Sequence, residues 1–445
     1  MADTNTTKNE ALLVLNDLEY KFPSHLSIQV RRHRTQSFFQ RSVYPPRDTM
    51  VIDSQTGSSF VSGCDSYLSF NFKPVGGDGS WGSGSVLNLF STIRVKTRGG
   101  QEINRIENFN VLMAKHPKWT NDHDWLHSEG RALGFADFYN TTNTLAAAPN
   151  TNFLHNFYAS NTYAVAIPLK YIAPIFAQDK LLPPQLMEGL RIEIELESSA
   201  NACVGGTITS YDISQPRILF DCTTIGDSFS RRIGEMASTQ GLNIMYSNFY
   251  SNQVSGSSAG QQNFNYDVKK AASLALRLWT VSRDVSKVQA AASDSLGSLP
   301  FDYSSLSCHI GSDYFPNVPI RVDGYVVSTN EGGANGANIR LLPEVYYHLL
   351  TAVRENKLIK SYPSVSIENT STDINSRLDA IMCFSFNKST VDNYAGYAIN
   401  NSRALVVDYE VDTTVNTAGV SRRIDNWLEH LRNIRIFSNQ AVISD

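Results

Sequence analysis

The sequence predicts an all-β chain folded as two sandwiches, and three observations carry that prediction. Phe (22) and Tyr (20) are abundant among many Thr, Val and Ile, types that suit pleated, half-buried surfaces. Short runs of strand formers recur between turns rich in Gly, Pro, Asn and Asp. A length of 445 residues and a mass of 49.4 kDa exceed what one hydrophobic core organises, so two domains are expected.

Residues 1–25 are polar apart from Leu12, Leu13, Leu15 and Leu18, an amphipathic patch suited to an arm that docks on a partner. Strands are predicted over 26–31, 67–72, 91–97, 163–169, 191–197 and 217–222. The most regular is 191–197, where Ile192, Ile194 and Leu196 share one face and Arg191, Glu193, Glu195 and Glu197 the other. The polar passage 226–241, GDSFSRRIGEMASTQG, is poor in strand formers and marks a boundary. The expected division is an arm over 1–25, a first sandwich over 26–224 and a second over 225–445. Strands of the second are predicted over 273–281, 320–327, 379–387 and 403–411.

Each half interrupts its strands with one helical passage that opens on proline, 183–190 and 343–357. In the latter, Val345, Leu349, Leu350 and Val353 recur at helical spacing. The shared order of elements suggests a duplicated sandwich, although identity between the halves is weak. Loops 99–162 and 251–267 are longer than a compact sandwich needs. The first carries Trp119, Trp125, Phe135, Phe138 and Tyr139, which predict a packed excursion with its own small apolar cluster.

Lys plus Arg (38) against Asp plus Glu (42) gives a net charge of −4, which argues against a nucleic-acid binder acting over its whole surface. Cys64, Cys203, Cys222, Cys308 and Cys383 are far apart and lack C-x-x-C spacing, so reduced, mostly buried thiols are expected. The apolar run 11–15 is too short for a secretory signal, and no stretch reaches membrane-spanning length. A soluble protein of a reducing compartment follows, and the sequons at Asn140 and Asn387 then carry little weight.

Chemistry-bearing groupings are few. His123 and His127 at i, i+4, with His116 and Asp124 nearby, have the spacing of a metal pair, but no Glu follows His123 as a zincin requires. Loop histidines are far more often hydrogen-bonded or solvated than metal-bound. Residues 77–82 match G-x-G-x-x-G by letter, yet a strand approach follows where a phosphate cradle needs a helix N-terminus. Glu193, Glu195 and Glu197 have the spacing of a carboxylate pair, about 6.5–7 Å between alternate strand residues. Three in a row on one face instead read as a solvated or subunit-facing surface. No nucleophile elbow, Walker loop or catalytic cysteine context occurs. No enzyme, metal or cofactor is predicted. The sharpest charge cluster is Arg31, Arg32, His33 and Arg34, between Lys21 and Arg41 and Arg47, ahead of the sandwich proper. It suits an enclosed genome's phosphates or a neighbouring subunit's acids, against the plainer reading of an exposed strand end.

The run 84–110, GSVLNLFSTIRVKTRGGQEINRIENFN, resembles a block of the major capsid proteins of polinton-like viruses and virophages, in the adenovirus-hexon lineage of double-stranded DNA viruses. The run 167–197, IPLKYIAPIFAQDKLLPPQLMEGLRIEIELE, is similar to a second block of that family. The second half matches only in order of elements and in Tyr314-Phe315-Pro316 and Pro319-Ile320. The resemblance implies a double jelly roll, two eight-stranded antiparallel β-sandwiches side by side with short helices and long inter-strand loops. It implies homotrimeric, pseudo-hexagonal capsomers tiling an icosahedral shell around double-stranded DNA. It further implies penton and minor or cement partners, a virion location after synthesis in the host cytoplasm or nucleus, and no cofactor. The alternative function is a jelly-roll carbohydrate-binding spike or lectin-like protein, with Trp119 and Trp125 as stacking platforms. A jelly-roll hydrolase would need a pocket at the Glu193 face or the His123 region.

Overall fold

The computed structural model describes residues 30–135, 154–205, 207–255, 263–288, 294–298, 303–321, 325–327, 339–341, 343–355, 381–386, 396–400, 403–411, 421–437 and 440–444. Eight principal strands come from the first half: β1 (Val30–Phe38), β2 (Thr49–Asp53), β3 (Phe60–Val75), β4 (Phe90–Lys96), β5 (Glu102–Glu107), β6 (Tyr163–Pro168), β7 (Arg191–Leu196) and β8 (Ser210–Ile225). Eight more follow: β9 (Leu242–Ser255), β10 (Asn263–Val268), β11 (Ala272–Asp284), β12 (Tyr303–Ile310), β13 (Asp313–Arg321), β14 (Met382–Ser385), β15 (Leu405–Val411) and β16 (Arg422–Phe437).

The first eight form two antiparallel sheets ordered β1-β8-β3-β6 and β2-β7-β4-β5. Adding eight to each label gives the other two sheets, β9-β16-β11-β14 and β10-β15-β12-β13. The protein is therefore a double jelly roll, with one strand order used twice. Pattern and register agree: Ile192 pairs with Ile52 and Val95, and Ile194 with Met50 and Ile93, so β7 turns its apolar face inward from the middle of its sheet.

The passage 226–241 is not a bare polar linker. It forms the helix α1 (Asp227–Thr239), which ends on Gly241 at φ +78, a left-handed position suited to glycine. The strand expected over 26–31 lies instead at Val30–Phe38, so the basic run Arg31–Arg34 is part of the first sandwich and not a preface to it. Of the proline-opened helices, the first shrinks to Pro184–Met187, whereas the second is α2 (Pro343–Glu355), burying Leu349, Leu350 and Val353.

The two long loops hold more order than expected. Residues 99–162 include β5 and short helices at Phe109–Met113 and His116–Thr120, while β9 and β10 run into 251–267 from both sides. Trp119, Trp125 and Phe135 do not form a separate cluster but join the main core. All five cysteines are free, and four are buried. The arm over 1–25, Phe138, Tyr139 and both sequons lie outside the described residues.

Candidate functional site

The seam between the sandwiches is the most elaborated surface. Strand β5 is hydrogen-bonded to β4 alone, which leaves one edge of donors and acceptors open. Side chains of β9 and β16 close it. Tyr246 Oη donates to the Ile103 carbonyl at 2.8 Å, and Trp427 Nε1 donates to the Glu107 carbonyl at 2.9 Å. Arg432 Nη1 donates to the Ile103 carbonyl at 2.8 Å, and Ser251 Oγ accepts from Glu107 N at 3.0 Å. Asn104 Nδ2 donates to Asn248 Oδ1 at 2.8 Å. One sandwich thus satisfies the other's edge without extending its sheet.

The segment after β5 then covers the outer face of the β9-β16-β11-β14 sheet. The His116 ring lies 4.8 Å from that of Trp279 and 5.6 Å from that of Phe249. Burial pushes the His116 imidazole down to about 4, so it is neutral at physiological pH. Lys115 Nζ donates to the Leu296 carbonyl at 2.6 Å. Because both faces of this sheet are covered, its strands lose the half-polar alternation of a surface sheet. Trp279, Trp427 and Val281 pack toward the first sandwich, while Leu278 and Leu428 pack into the second.

Charged residues are also buried on that covered face, each with a partner. Arg277 and Glu429 form a bidentate pair, Nε–Oε2 at 2.7 Å and Nη2–Oε1 at 2.5 Å, with Trp279 Nε1 donating to the same carboxylate at 3.2 Å. Burial alone would raise the Glu429 carboxyl, but the Arg277 charge holds it below the usual range. Arg283 Nε donates to Asp425 Oδ2 at 2.8 Å, and Arg423 Nε to Asp425 Oδ1 at 3.1 Å.

The corresponding outer face of the first sandwich, on β1-β8-β3-β6, is open among the described residues. Arg31, Arg32 and Arg34 are exposed there or at its edge. Arg32 Nε donates to the buried Asp221 at 2.9 Å, and its Nη2 lies 3.2 Å from Asp65. The Arg34 guanidinium sits 5.9 Å from the centre of the Tyr67 ring. Half of the cluster's charge is thus already answered within the chain.

Other candidate chemistry disperses. His123 and His127 face each other, Nε2 to Nε2 at 2.9 Å, on an exposed turn, while His116 is buried elsewhere. Among the described residues no group of three or more His, Cys, Asp or Glu could hold a metal. Lys96 Nζ lies 2.7 Å from Glu193, and Arg94 Nη2 lies 2.9 Å from Glu195. Glu197 accepts from Asn110 Nδ2 at 3.0 Å. That carboxylate row is a cross-strand charge ladder. Residues 77–82 lead into a strand and a tight turn, with no helix to cradle a phosphate. Trp119 and Trp125 are 0% and 8% exposed, so neither is a sugar-stacking platform. A cleft of about 400 Å³ at the seam is lined by Glu102, Arg105, Glu107, Lys270, His430 and Arg432, a mixed-charge surface with no nucleophile and base in order.

The residues that matter most here, Arg277, Trp279, Trp427 and Glu429, escape sequence reasoning. The one available signal is a basic residue inside the apolar run SLALRLWTV, which needs an acid from elsewhere in the chain.

No protein-family model matches the chain, and no curated protein matches it by sequence. Solved structures do. The PBCV-1 virus capsid protein aligns at a TM-score of 0.54 and 11% identity, covering 96% of this chain and 99% of that one. The Faustovirus major capsid protein aligns at 0.54 and 8% identity, covering 96% and 94%. A protein of the Sputnik virophage structure aligns at 0.55 and 11% identity, covering 94% and 88%. The strand order and these likenesses agree: the chain has the double-jelly-roll fold found in the major capsid proteins of PBCV-1 and Faustovirus.

Proposed function

We propose that the protein is a major capsid protein whose function is assembly: three copies close into a pseudo-hexagonal capsomer, and capsomers tile an icosahedral shell around double-stranded DNA. The observation that carries this reading is the likeness of nearly the whole chain to capsid proteins, with both sandwiches present and no appended catalytic unit among the described residues. Two sandwiches per chain suit a ring of six from three chains, through heterologous contacts that close on a threefold axis. Near-neutral charge also suits crowding in a lattice.

On this reading, 1–25 is an arm, 26–224 the first jelly roll and 225–445 the second. Penton and minor capsid proteins complete a shell located in the virion, and the protein performs no catalysis. The lectin-like alternative loses its two named platforms to burial, and no observation favours it.

Native mass measurement with negative-stain imaging tests the proposal. The expected species is three times 49.4 kDa, about 148 kDa, with a hexagonal outline. A stable monomer would overturn it.

A further inference from the structure

The seam inside one chain is a template for a contact between chains. It has two sides. The first sandwich offers the free edge of β5 and the segment that follows it, and the second offers the outer face of β9-β16-β11-β14. Since the strand order repeats, each side has a counterpart, and both counterparts are uncovered among the described residues. The second sandwich carries the free edge of β13, followed by α2 in the passage after it. The first sandwich carries the outer face of β1-β8-β3-β6.

Exposed apolar side chains fall on these two counterparts. Among the described residues the four most exposed large apolar groups are Val318 at 71%, Phe38 at 68%, Tyr347 at 62% and Val30 at 60%. Val318 lies on β13 and Tyr347 on α2, while Phe38 and Val30 close the two ends of β1. Large apolar groups left in water on two separate elements mark surfaces that become covered.

Charge agrees as well. The first face presents Arg32, Arg34 and Arg217, all exposed. Beside the second, β15 turns out Asp408 and the exposed Glu410, with His309 between Asp408 at 3.6 Å and the Tyr314 ring at 5.1 Å. Opposite signs on the two surfaces favour their meeting and disfavour either meeting itself.

We infer that the outer face of β1-β8-β3-β6, with Arg32, Arg34 and Phe38, seats the β13 edge and α2 of a second copy of this chain. The basic cluster is therefore an inter-subunit surface, not a genome contact. The inference rests on the trimer reading above and adds which surfaces make the trimer. The contact is heterologous, so each copy gives one side and receives the other.

A complementation experiment tests it. One variant blocks the first face (Arg34→Glu with Phe38→Asp), and another blocks the second (Val318→Asp with Tyr347→Asp). Each alone is expected to run as a monomer of 49.4 kDa, and their mixture as a two-chain species of twice that mass, through the one intact pair of faces. If both variants remain trimers, the inference fails while the trimer reading stands. If the unaltered protein is itself a monomer, both fail. Should a variant not fold, a photoreactive benzoylphenylalanine at Phe38, already exposed, serves in the intact trimer. Cross-linking to residues 313–355 of another copy supports the inference, and cross-linking elsewhere overturns it.

Discussion

Two copies of one strand order meet different environments in this protein, and their sequences diverge accordingly. The outer face of β9-β16-β11-β14 is buried against the first sandwich and holds two tryptophans with charged residues in ion pairs. The outer face of β1-β8-β3-β6 is open and holds arginines whose partners are partly in water. The same topology can thus present a sealed interior or a charged exterior, depending only on which side chains leave the sheet. Burial makes the first arrangement unforgiving and exposure makes the second tolerant.

Breaking the Arg277–Glu429 pair should expose that difference most strongly. Glu429→Ala strands a guanidinium inside the seam, and such a loss costs about 3–5 kcal/mol. Arg32→Ala, on the open counterpart face, should cost less than about 1 kcal/mol. Thermal or denaturant unfolding of the two variants checks the contrast, and equal losses would refute it.

Acid sharpens it next. His116 and His155 are both held down to about 4 by burial, against an ordinary value of 6.5. Between those values the unfolded chain takes up protons that the folded chain refuses. Stability is therefore complete above about pH 6.5 and falls as pH drops toward 4. Each histidine contributes on the order of 3 kcal/mol across that window. A His116→Phe variant should flatten part of the slope in unfolding measured at pH 7 and pH 5.

A smaller effect isolates the edge-capping bonds. Trp427→Phe keeps the ring but removes the donor to the Glu107 carbonyl, leaving that acceptor short of its seam partner. The expected cost is about 1–2 kcal/mol, with faster amide exchange along β5 than along β4. The smallest concerns the open face. Neutralising Arg31, Arg32 and Arg34 to Gln should lower trimer yield a few-fold and leave the DNA content per particle unchanged. Reduced DNA with normal trimers would instead assign these residues to the genome.

How much was legible in the sequence follows the same divide. Strand β7 announced itself because one of its faces is wet, so Ile192 and Ile194 alternate with charged residues. Strand β16, RRIDNWLEHLRNIRIF, did not, because both of its faces are covered and its charges are inside. Alternation was never there to find. Strand β5 hid within a supposed loop, since GGQEINRIEN reads as polar until Ile103 and Ile106 are seen to fill the core. Helix α1 was overlooked for the opposite reason: it is mostly polar and its helical character lies in capping and Gly241, not in an apolar stripe. The basic cluster was found by charge alone, but its membership of β1 depends on pairing with β8, a contact about 190 residues away in sequence. The seam's ion pairs were invisible because a charge in a sequence carries no mark of its partner.

Helix α1 joins the two sandwiches through thirteen residues, about 20 Å of helix, and so fixes them as permanent neighbours. For a six-membered ring this changes the count of bodies that must find one another from six to three. The translational and rotational freedom that three separate pieces would forfeit is surrendered once, when the polypeptide is made. Ring closure can then proceed at dilutions where an unlinked single-sandwich subunit would remain dispersed.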